Sequence, residues 1–442
     1  MPTLVDIIVI GAGPGGYDAA AHEAAKGKSV VIIEKENLGG TCLNQGCIPT
    51  KCLCAAAQRF EEIKNSEIFG IHTGQVSASF AQAVRHSRAV IETLNSGIET
   101  LLSKCTLVKG EAVILPDGNI KVNDSVYSAP KVIIATGSQP SSLNIPGAEL
   151  ATDSSHFLKT EELPSSLTII GAGVIGIEFA YIANAYGCKV TVIEYCKEIL
   201  PLCDSELAKR LRLILAEKGV TFITSAQVSQ IRKLDDDMLE VLYTDKKNQQ
   251  CSVISNRTLM AVGRRAVLPE GTEEAGINVD SRGFIETDND FRTSRPGFYA
   301  VGDCNGKLML AHVATAQSMR AIGTEVNLNV IPSAVFTSPE LAMVGLTTEQ
   351  CKEKGLDYVA KKALFRANGK ALASNLTEGI VKIIFNPQTR LILGCHILGA
   401  HASDLIAEPT LAMAQNITVD QLAVNTVHNH PTLTEILPSA IS

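Results

Sequence analysis

The first hydrophobic pattern in the chain is an apolar run, Val5 to Ile10, that is interrupted abruptly by the glycine-rich segment Gly11 to Gly16. An alanine-rich stretch from Tyr17 to Lys26 follows, and then a second apolar run, Ser29 to Ile33, which ends in Glu34. Short β-branched runs of this kind are typical of buried strands, and the alanine-rich stretch is typical of a helix. The pattern therefore predicts strand, glycine turn, helix and strand.

The same pattern recurs in the second third of the chain. Leu167 to Ile170 leads into a glycine turn and an apolar helix-like stretch that ends at Ala185, and Lys189 to Ile193 then leads to Glu194. Each landmark lies 160 residues after its first copy, since Gly11 corresponds to Gly171 and Glu34 to Glu194. The chain is therefore predicted to contain two copies of one βαβ unit.

Glycines and a terminal acid in this arrangement are typical of dinucleotide binding. The first glycine forms the turn, the second lets the backbone approach a pyrophosphate, and the third lets the helix pack on the strand. The candidate glycines are Gly11, Gly13 and Gly16 in the first copy and Gly171, Gly173 and Gly176 in the second. Glu34 and Glu194 are the candidate ribose-binding acids, unless Glu194 is only a solvated acid at a strand end. A carboxylate at position 194 would repel a ribose phosphate, which favours NAD over NADP.

Composition limits the classes of protein to which the chain can belong. Its 442 residues require more than one hydrophobic core. The net charge of -7 without a basic block argues against nucleic acid as a partner, and the apolar segments are too short or too interrupted to span a membrane. The chain begins without a secretory signal pattern, so we expect a cytoplasmic protein whose twelve cysteines are mostly reduced.

Two of those cysteines, Cys42 and Cys47, lie between the first unit and the helix-like segment that follows it. In a regular helix this spacing separates the Cα atoms by roughly 9 Å, which exceeds the limit of about 7 Å for a disulfide. Gly46 and Pro49 are expected to supply the local break that bonding would require. From spacing alone, two buried, unreactive thiols are an equally good interpretation.

The segment Gly39 to Lys51 resembles the active-site signature of the flavin-dependent pyridine nucleotide-disulfide oxidoreductases, and within them of members that oxidise dihydrolipoamide. The resemblance covers the whole chain. Its further motifs are Gly13 to Tyr17, Ala135 to Ser138, Met260 to Arg264, Tyr299 to Asp303, Phe336 to Glu340 and His428 to Thr432.

The resemblance implies an α/β fold with two Rossmann-like domains, one for FAD and one for NAD, and a C-terminal α+β dimerisation domain. The expected domains are residues 1–140 for FAD, 141–265 for NAD, a central segment 266–330 that completes the FAD domain, and 331–442 for the interface. The implied partners are a second copy of the chain and the lipoyl-bearing components of 2-oxo acid dehydrogenase or glycine cleavage complexes.

The resemblance also implies residue roles. Cys47 would be the thiolate against the flavin, Cys42 would exchange disulfides with the substrate, and Lys51 would pair with Glu178 near the flavin. Reduced FAD would then pass hydride to NAD. The remaining FAD residues implied are Gly40, Thr41, Ala112, Thr136, Gly137, Ser138, Asp303 and Ala311, with Ala112 and Ala311 lining the flavin; those implied for NAD include Val228 and Gly263.

A base is also implied near the C-terminus, because a thiol is only slightly ionised at neutral pH. His430 would be this base, acting in the second subunit's site, and Glu435 would orient it, although Thr432 and Glu435 also match a helix capping box. His428 is the competing histidine. Departures from the family pattern are Gln45, Thr50 and Asn429, and the extra thiols Cys52 and Cys54.

Two other interpretations remain open at this stage. A family member with another substrate, such as glutathione disulfide or mercuric ion, would share the fold. Glu194 argues against the NADP-dependent members, and the lack of any cysteine after Cys395 argues against the mercuric type. A catalytically idle flavoprotein would lack the cysteine pair or His430, and this chain has both.

Overall fold

A computed structural model describes residues 1–235 and 237–441. The apolar run Ile7–Ile10 forms the middle strand of a five-stranded parallel sheet. All four of its residues are buried because helices cover one face of the sheet and the strands Ala112–Ile114 and Ile120–Val122 cover the other. The strands up to residue 140 are β1 (Thr3–Leu4), β2 (Ile7–Ile10), β3 (Val30–Glu34), β4 (Thr106–Lys109), β5 (Ala112–Ile114), β6 (Ile120–Val122), β7 (Ser125–Ser128), β8 (Lys131–Ile134) and β9 (Ser138–Pro140).

The helices of this region cover the sheet and extend beyond it: α1 (Pro14–Ala25), α2 (Gly40–Gln45), α3 (Cys47–Lys64) and α4 (Phe80–Leu101). Helix α1 begins with Pro14 in its first turn, where no intrahelical N–H is needed. Gly27 follows its end with φ +84°, a conformation that glycine adopts without strain. A smaller sheet in the order β1-β7-β6-β5 packs beside the main one.

The second unit repeats this plan. Its elements are α5 (Ser154–Phe157), β10 (Ser166–Ile170), α6 (Val174–Ala185), β11 (Lys189–Ile193), α7 (Ser205–Glu217), β12 (Thr221–Ile223), β13 (Gln227–Lys233), β14 (Leu239–Thr244), β15 (Gln250–Ser255), β16 (Arg257–Met260) and β17 (Arg264–Ala266). A parallel sheet has the order β12-β11-β10-β16, and an antiparallel sheet has the order β13-β14-β15. Helix α6 is apolar and buried on nearly all sides, and it carries the buried Glu178.

Two crossing strands connect the units. Strand β9 leaves the first unit and β17 returns from the second, and they pair antiparallel with Ser138 opposite Ala266. The chain then forms β18 (Phe298–Ala300) and α8 (Ala311–Ala321). Strand β18 pairs with β8, so that the first sheet has the order β18-β8-β2-β3-β4. A segment that follows the second unit thus completes the sheet of the first.

The C-terminal part is an antiparallel sheet covered by short helices. Its strands are β19 (Pro332–Val335), β20 (Glu340–Gly345), β21 (Val359–Leu364), β22 (Ile380–Phe385) and β23 (Ile392–Gly399), in the order β19-β20-β23-β22-β21. Its helices are α9 (Thr348–Glu353), α10 (Gly369–Ala373), α11 (Ala402–Leu405), α12 (Ala407–Ala414) and α13 (Ile436–Ile441). Helices α11 and α12 follow each other directly and are divided at Ile406.

A buried ion pair joins this sheet to the second unit. Lys382 Nζ lies 2.7 Å from Asp204 Oδ2, and both side chains are almost fully buried. Asp204 also caps helix α7 by accepting a hydrogen bond from the backbone N–H of Leu207. The α/β class with two Rossmann-like units and a C-terminal α+β part is confirmed.

Candidate active site

The cysteine pair lies at the junction of two helices. Cys42 is in α2, Cys47 is the first residue of α3, and Gly46 between them has φ −148° and ψ −109°. A Cβ at Gly46 would lie 2.9 Å from the carbonyl oxygen of Thr41, so glycine allows the close turn. Pro49 does not interrupt the helix as expected, because it lies in the first turn of α3, where no intrahelical N–H is required.

This turn places the two thiols in contact, although no disulfide joins them in this structure. A hydrogen bond from Cys42 and the charge of Lys51 together lower the pKa of the Cys47 thiol to about 7, against the opposing effects of burial and of the Glu178 charge. The same hydrogen bond, with burial, raises the pKa of Cys42 well above its usual range. The site is therefore polarised, with Cys47 as the thiolate and Cys42 as the proton donor.

Lys51 follows Cys47 by one turn of α3 and reaches helix α6. Its Nζ lies 3.0 and 2.9 Å from the two carboxylate oxygens of Glu178 and 4.5 Å from the ring centre of Phe336. Glu178 Oε1 also accepts a hydrogen bond from Phe336 N at 2.9 Å. Burial, the largest single effect, lowers the pKa of Lys51, but the charge and hydrogen bond of Glu178 together with nearby thiol charges outweigh it, and the net shift is upward. Lys51 is therefore a fixed cation beside the Cys47 thiolate.

The first glycine turn has the shape that a bound pyrophosphate requires. A Cβ at Gly16 would lie 1.9 Å from Gly11 O, so the third glycine permits the contact between helix and strand. A Cβ at Gly13 would meet no atom closer than Gly40 Cα at 3.9 Å, so the backbone there faces open space. Gly40 has φ +58° and packs against Gly13. These residues, with Thr41 beside them in α2, fit FAD.

The second turn reproduces this geometry. A Cβ at Gly176 would lie 2.0 Å from Gly171 O, whereas none of the neighbouring atoms would lie within 4 Å of a Cβ at Gly173. Gly263, with φ +109°, also faces open space. Val228 is buried among the apolar side chains behind the sheet. The second unit thus offers a ligand an open glycine edge that fits NAD.

The two acids at the strand ends, Glu34 and Glu194, each bind the glycine turn of their own unit. Glu34 Oε2 accepts a hydrogen bond from Ala12 N at 2.7 Å, and Glu194 Oε2 accepts one from Ala172 N at 2.5 Å. Glu194 is 7% exposed, so the alternative of a solvated strand-end acid is wrong. Each carboxylate orders its own glycine turn, and a carboxylate oxygen can accept a further hydrogen bond from a ribose hydroxyl.

Residues from three distant segments meet at the carboxyl end of the first sheet. Ser138 Oγ lies 2.5 Å from Asp303 Oδ2, and Thr136 Oγ1 donates to Val267 O at 2.5 Å. Gly137 has φ +70° and no atom within 4 Å of its Cβ position. Ala311 begins helix α8, and Ala112 is buried in the sheet core, which leaves mainly its backbone to contact a nucleotide.

The C-terminal histidines differ in environment. His430 is 81% exposed and its Nδ1 lies 2.9 Å from Glu435 Oε1, while Glu435 Oε2 accepts a hydrogen bond from Thr432 N. This is one half of the expected capping box, and the Thr432 hydroxyl donates to Asn429 O. His428 is largely buried against Glu408. Among the described residues, no hydrogen bond or ion pair joins His430 to Cys42 or Cys47.

The additional thiols near the site are shielded. Burial raises the pKa of Cys54 well above its usual range, and burial also raises the pKa of Cys52, which is hydrogen-bonded to Ser87. Both thiols are therefore poorer nucleophiles than Cys47.

Sequence reasoning missed two contributors to the site. Phe336 belongs to a motif used for the resemblance, but nothing in its sequence position indicates that its backbone binds Glu178. Arg264 ends another such motif, and it donates hydrogen bonds to Ser138. Within the described ranges, no helix is long and apolar enough to cross a membrane, and no group of three or more His, Cys, Asp or Glu side chains could hold a metal ion.

Two family models match the chain: the pyridine nucleotide-disulphide oxidoreductase over residues 5–318, and the dimerisation domain of the same family over residues 331–441. The chain belongs to the pyridine nucleotide-disulphide oxidoreductases. It is an enzyme of that family, which works with FAD and NAD, and it carries the family's dimerisation domain.

Curated relatives match over nearly their whole length. A dihydrolipoyl dehydrogenase of Geobacillus stearothermophilus is 39% identical, with 98% of this chain and 95% of the relative covered. One of Mycoplasma pneumoniae is 37% identical, with 98% and 96% covered. Among solved structures, the Cu(II) complex of the HOCl-induced flavoprotein disulfide reductase RclA from Escherichia coli has a TM-score of 0.88 at 27% identity, covering 100% of this chain and 99% of that one.

Proposed function

We propose that this chain oxidises protein-bound dihydrolipoamide to lipoamide and reduces NAD to NADH, with FAD carrying the electrons. The observation that carries the proposal is the polarised pair of Cys42 and Cys47 beside Lys51. The full-length similarity to dihydrolipoyl dehydrogenases supports the choice of substrate. Bound FAD would accept the electron pair of the reduced cysteines and deliver it as hydride to NAD.

The cycle begins with Cys42 and Cys47 joined as a disulfide. His430 takes the proton of one substrate thiol, and the resulting thiolate attacks the sulfur of Cys42. The Cys42–Cys47 bond breaks, and its electron pair remains on Cys47 as a thiolate. Lys51 stabilises this negative charge, which agrees with its lowering of the Cys47 pKa.

The second substrate thiol then attacks the substrate sulfur that is bound to Cys42. The disulfide of lipoamide forms, and the proton of the second thiol passes to Cys42. The products are lipoamide, the Cys42 thiol, the Cys47 thiolate and protonated His430, so two electrons and two protons have moved from substrate to enzyme. The raised pKa of Cys42 agrees with its leaving as a neutral thiol.

The assembly that we propose is a homodimer with two composite sites, each using the cysteines of one subunit and His430 of the other. The exposed position of His430 in the single chain supports this arrangement. The lipoyl-bearing components of 2-oxo acid dehydrogenase or glycine cleavage complexes would supply the dithiol. The ten cysteines outside the redox pair are free thiols, which favours a reducing compartment, and we propose the cytoplasm.

The test compares NAD(H)-linked turnover of lipoamide, glutathione disulfide, mercuric ion and Cu(II) by the purified FAD-loaded protein. We expect lipoamide to be the preferred substrate, with C42S inactive on it but still binding FAD. A preference for glutathione disulfide or for either metal ion would overturn the proposal in favour of another member of the family. Unchanged lipoamide turnover by C42S would contradict the cysteine mechanism.

A further inference from the structure

The side chain of Arg264 is 13% exposed and lies between the two nucleotide-binding units. Its Nε donates to Ser138 Oγ at 2.7 Å, and its Nη2 donates to Ser138 O at 2.8 Å. A guanidinium can only donate, so the Ser138 oxygen accepts from Arg264 and its own proton points to Asp303 Oδ2, 2.5 Å away. The three residues therefore form a hydrogen-bond chain with one direction, from Arg264 through Ser138 to Asp303.

This chain of hydrogen bonds fixes the orientation of the Asp303 carboxylate. Oδ2 is engaged by Ser138 and lies 3.9 Å from Arg264 Nε. Oδ1 has no hydrogen-bond donor among the residues that the structure describes, and the side chain is 23% exposed. One carboxylate oxygen is thus held by the protein, and the other is left to accept from the hydroxyl of a ligand.

Arg264 also occupies a particular place in the backbone. It is the first residue of β17, and Ser138 is the first residue of β9, the strand with which β17 pairs. Gly263, immediately before it, faces open space at the glycine edge that fits NAD. The hydrogen bonds of Arg264 therefore connect the end of the second unit, through Ser138, to the Asp303 carboxylate.

We infer that Arg264 is a positioning residue that orients Asp303 through Ser138, so that the free carboxylate oxygen can accept a hydrogen bond from a hydroxyl of bound FAD. The inference rests on the proposed function for the two nucleotides. Among the described residues, no hydrogen bond joins Arg264 to Cys42 or Cys47, and it acts through Ser138 and Asp303.

Charge and shape both favour arginine at this position. Burial lowers the pKa of Arg264 against the opposing charges of Asp303, Cys47 and Asp153. The guanidinium stays protonated because the intrinsic pKa of arginine is far above neutrality. The positive charge of Arg264 offsets the negative charge of the partly buried Asp303 carboxylate. A lysine would keep the charge, but its single ammonium lacks the planar fork that binds Oγ and O of Ser138 together.

The experiment uses the FAD-free protein, titrated with FAD and followed by the quenching of flavin fluorescence. R264Q removes the charge and the fork, R264K restores the charge alone, and S138A removes the hydroxyl link but leaves the Ser138 carbonyl. R265Q is the matched control, because Arg265 is the exposed neighbour on the same strand. The melting temperature of each apoprotein and the absorption spectrum of bound flavin are recorded alongside.

We expect R264Q to bind FAD about tenfold more weakly or worse, the loss of one charged hydrogen bond, with R264K intermediate and R265Q unchanged. S138A should weaken binding on its own. In the R264Q/S138A double variant, the loss of FAD affinity should be smaller than the product of the two single losses, because both substitutions act through Asp303. The bound-flavin spectrum should shift in R264Q and shift less in R264K.

FAD binding by R264Q and S138A equal to that of R265Q would overturn the inference, as would two losses that multiply in the double variant. A fall in apoprotein melting temperature without weaker FAD binding by S138A would also overturn it. None of these readouts requires dihydrolipoamide. A wild-type protein that binds FAD but does not turn over lipoamide would contradict the proposed function and leave this test intact.

Discussion

Lys51 and Glu178 are 127 residues apart in the chain, and their charged groups meet at 3.0 and 2.9 Å. Lys51 belongs to the helix that begins at Cys47, and Glu178 belongs to the helix that follows the second glycine turn. Glu178 also binds the backbone of Phe336, just after the first strand of the C-terminal sheet. One carboxylate thus connects all three parts of the structure beside the redox pair.

The first prediction concerns the stability that this contact provides. In K51M, Glu178 keeps only the Phe336 N–H as a donor although it is 3% exposed. We expect the free energy of unfolding to fall by about 3 kcal/mol, the lower end of the range for breaking a buried pair, because Lys51 is only partly buried. Urea unfolding followed by circular dichroism measures it.

The control for this prediction is the double variant K51M/E178Q, in which neither charge remains. We expect it to be more stable than the sum of the two single losses implies, because the pair acts as a unit. Losses that simply add would show that the contact contributes no coupling energy.

The second prediction concerns the pH dependence of the reduced site. With a Cys47 pKa of about 7, the thiolate absorbance near 240 nm should titrate with a midpoint near pH 7. C42A should move the midpoint upward, because the hydrogen bond from Cys42 is lost, whereas C42S keeps a donor and should stay closer to wild type. C47S supplies the baseline without the thiolate.

The sign of the stability effect follows from the lowered pKa. A thiol whose folded pKa is below its unfolded value of 9.0 stabilises the fold fully above about pH 9, and this contribution disappears as the pH falls through about 7. Identical midpoints in C42A and wild type would contradict the assignment of Cys42 as the hydrogen-bond donor.

The third prediction separates binding from folding within one glycine turn. G173A places its methyl group in open space, so it should fold normally, but it should raise the KM for NADH at least about tenfold by blocking the backbone's approach to the pyrophosphate. G176A places its methyl group 2.0 Å from Gly171 O, so it should lose stability. Steady-state kinetics and thermal melting distinguish the two, and an unchanged KM in G173A would argue against NAD at this turn.

The fourth prediction tests the composite site. C42S and H430Q should each lose lipoamide turnover, the latter by about 10² to 10⁴ for loss of a general base. When the two variants are unfolded, mixed and refolded, the mixed dimer should contain one intact site, with Cys42 from the H430Q chain and His430 from the C42S chain. Recovered turnover is expected, and none would be recovered if both groups came from the same subunit.

Much of the fold follows from local patterns. The β-branched runs that form β2, β3, β10 and β11 are buried on both faces, so hydrophobicity and turn chemistry together identified them within about two residues. The roles of the turn glycines could also be predicted from sequence, because only glycine tolerates the close contacts at Gly16 and Gly176. Because the same pattern recurs 160 residues later, each copy supports the assignment of the other as a βαβ unit.

The contacts between distant segments could not be read in this way. The hydrogen bonds of Arg264 to Ser138 depend on the pairing of β9 with β17, and no local preference specifies which side chains that pairing brings together. The helix break at Gly46 rather than Pro49 is a similar case, because the tolerance for proline depends on where the helix begins.

The sequence by itself determined which residues could do chemistry here: two cysteines in a glycine-containing turn, two nucleotide turns with their acids, and a C-terminal histidine. Their periodicity and residue types act over a few neighbours, so they are visible in the chain. The family resemblance indicated Cys47 rather than Cys42 as the thiolate, but only the tertiary structure supplies a physical cause for that difference: a thiol–thiol hydrogen bond, and a lysine held by an acid 127 residues away. Electrostatic effects depend on distance in space, and the fold sets that distance.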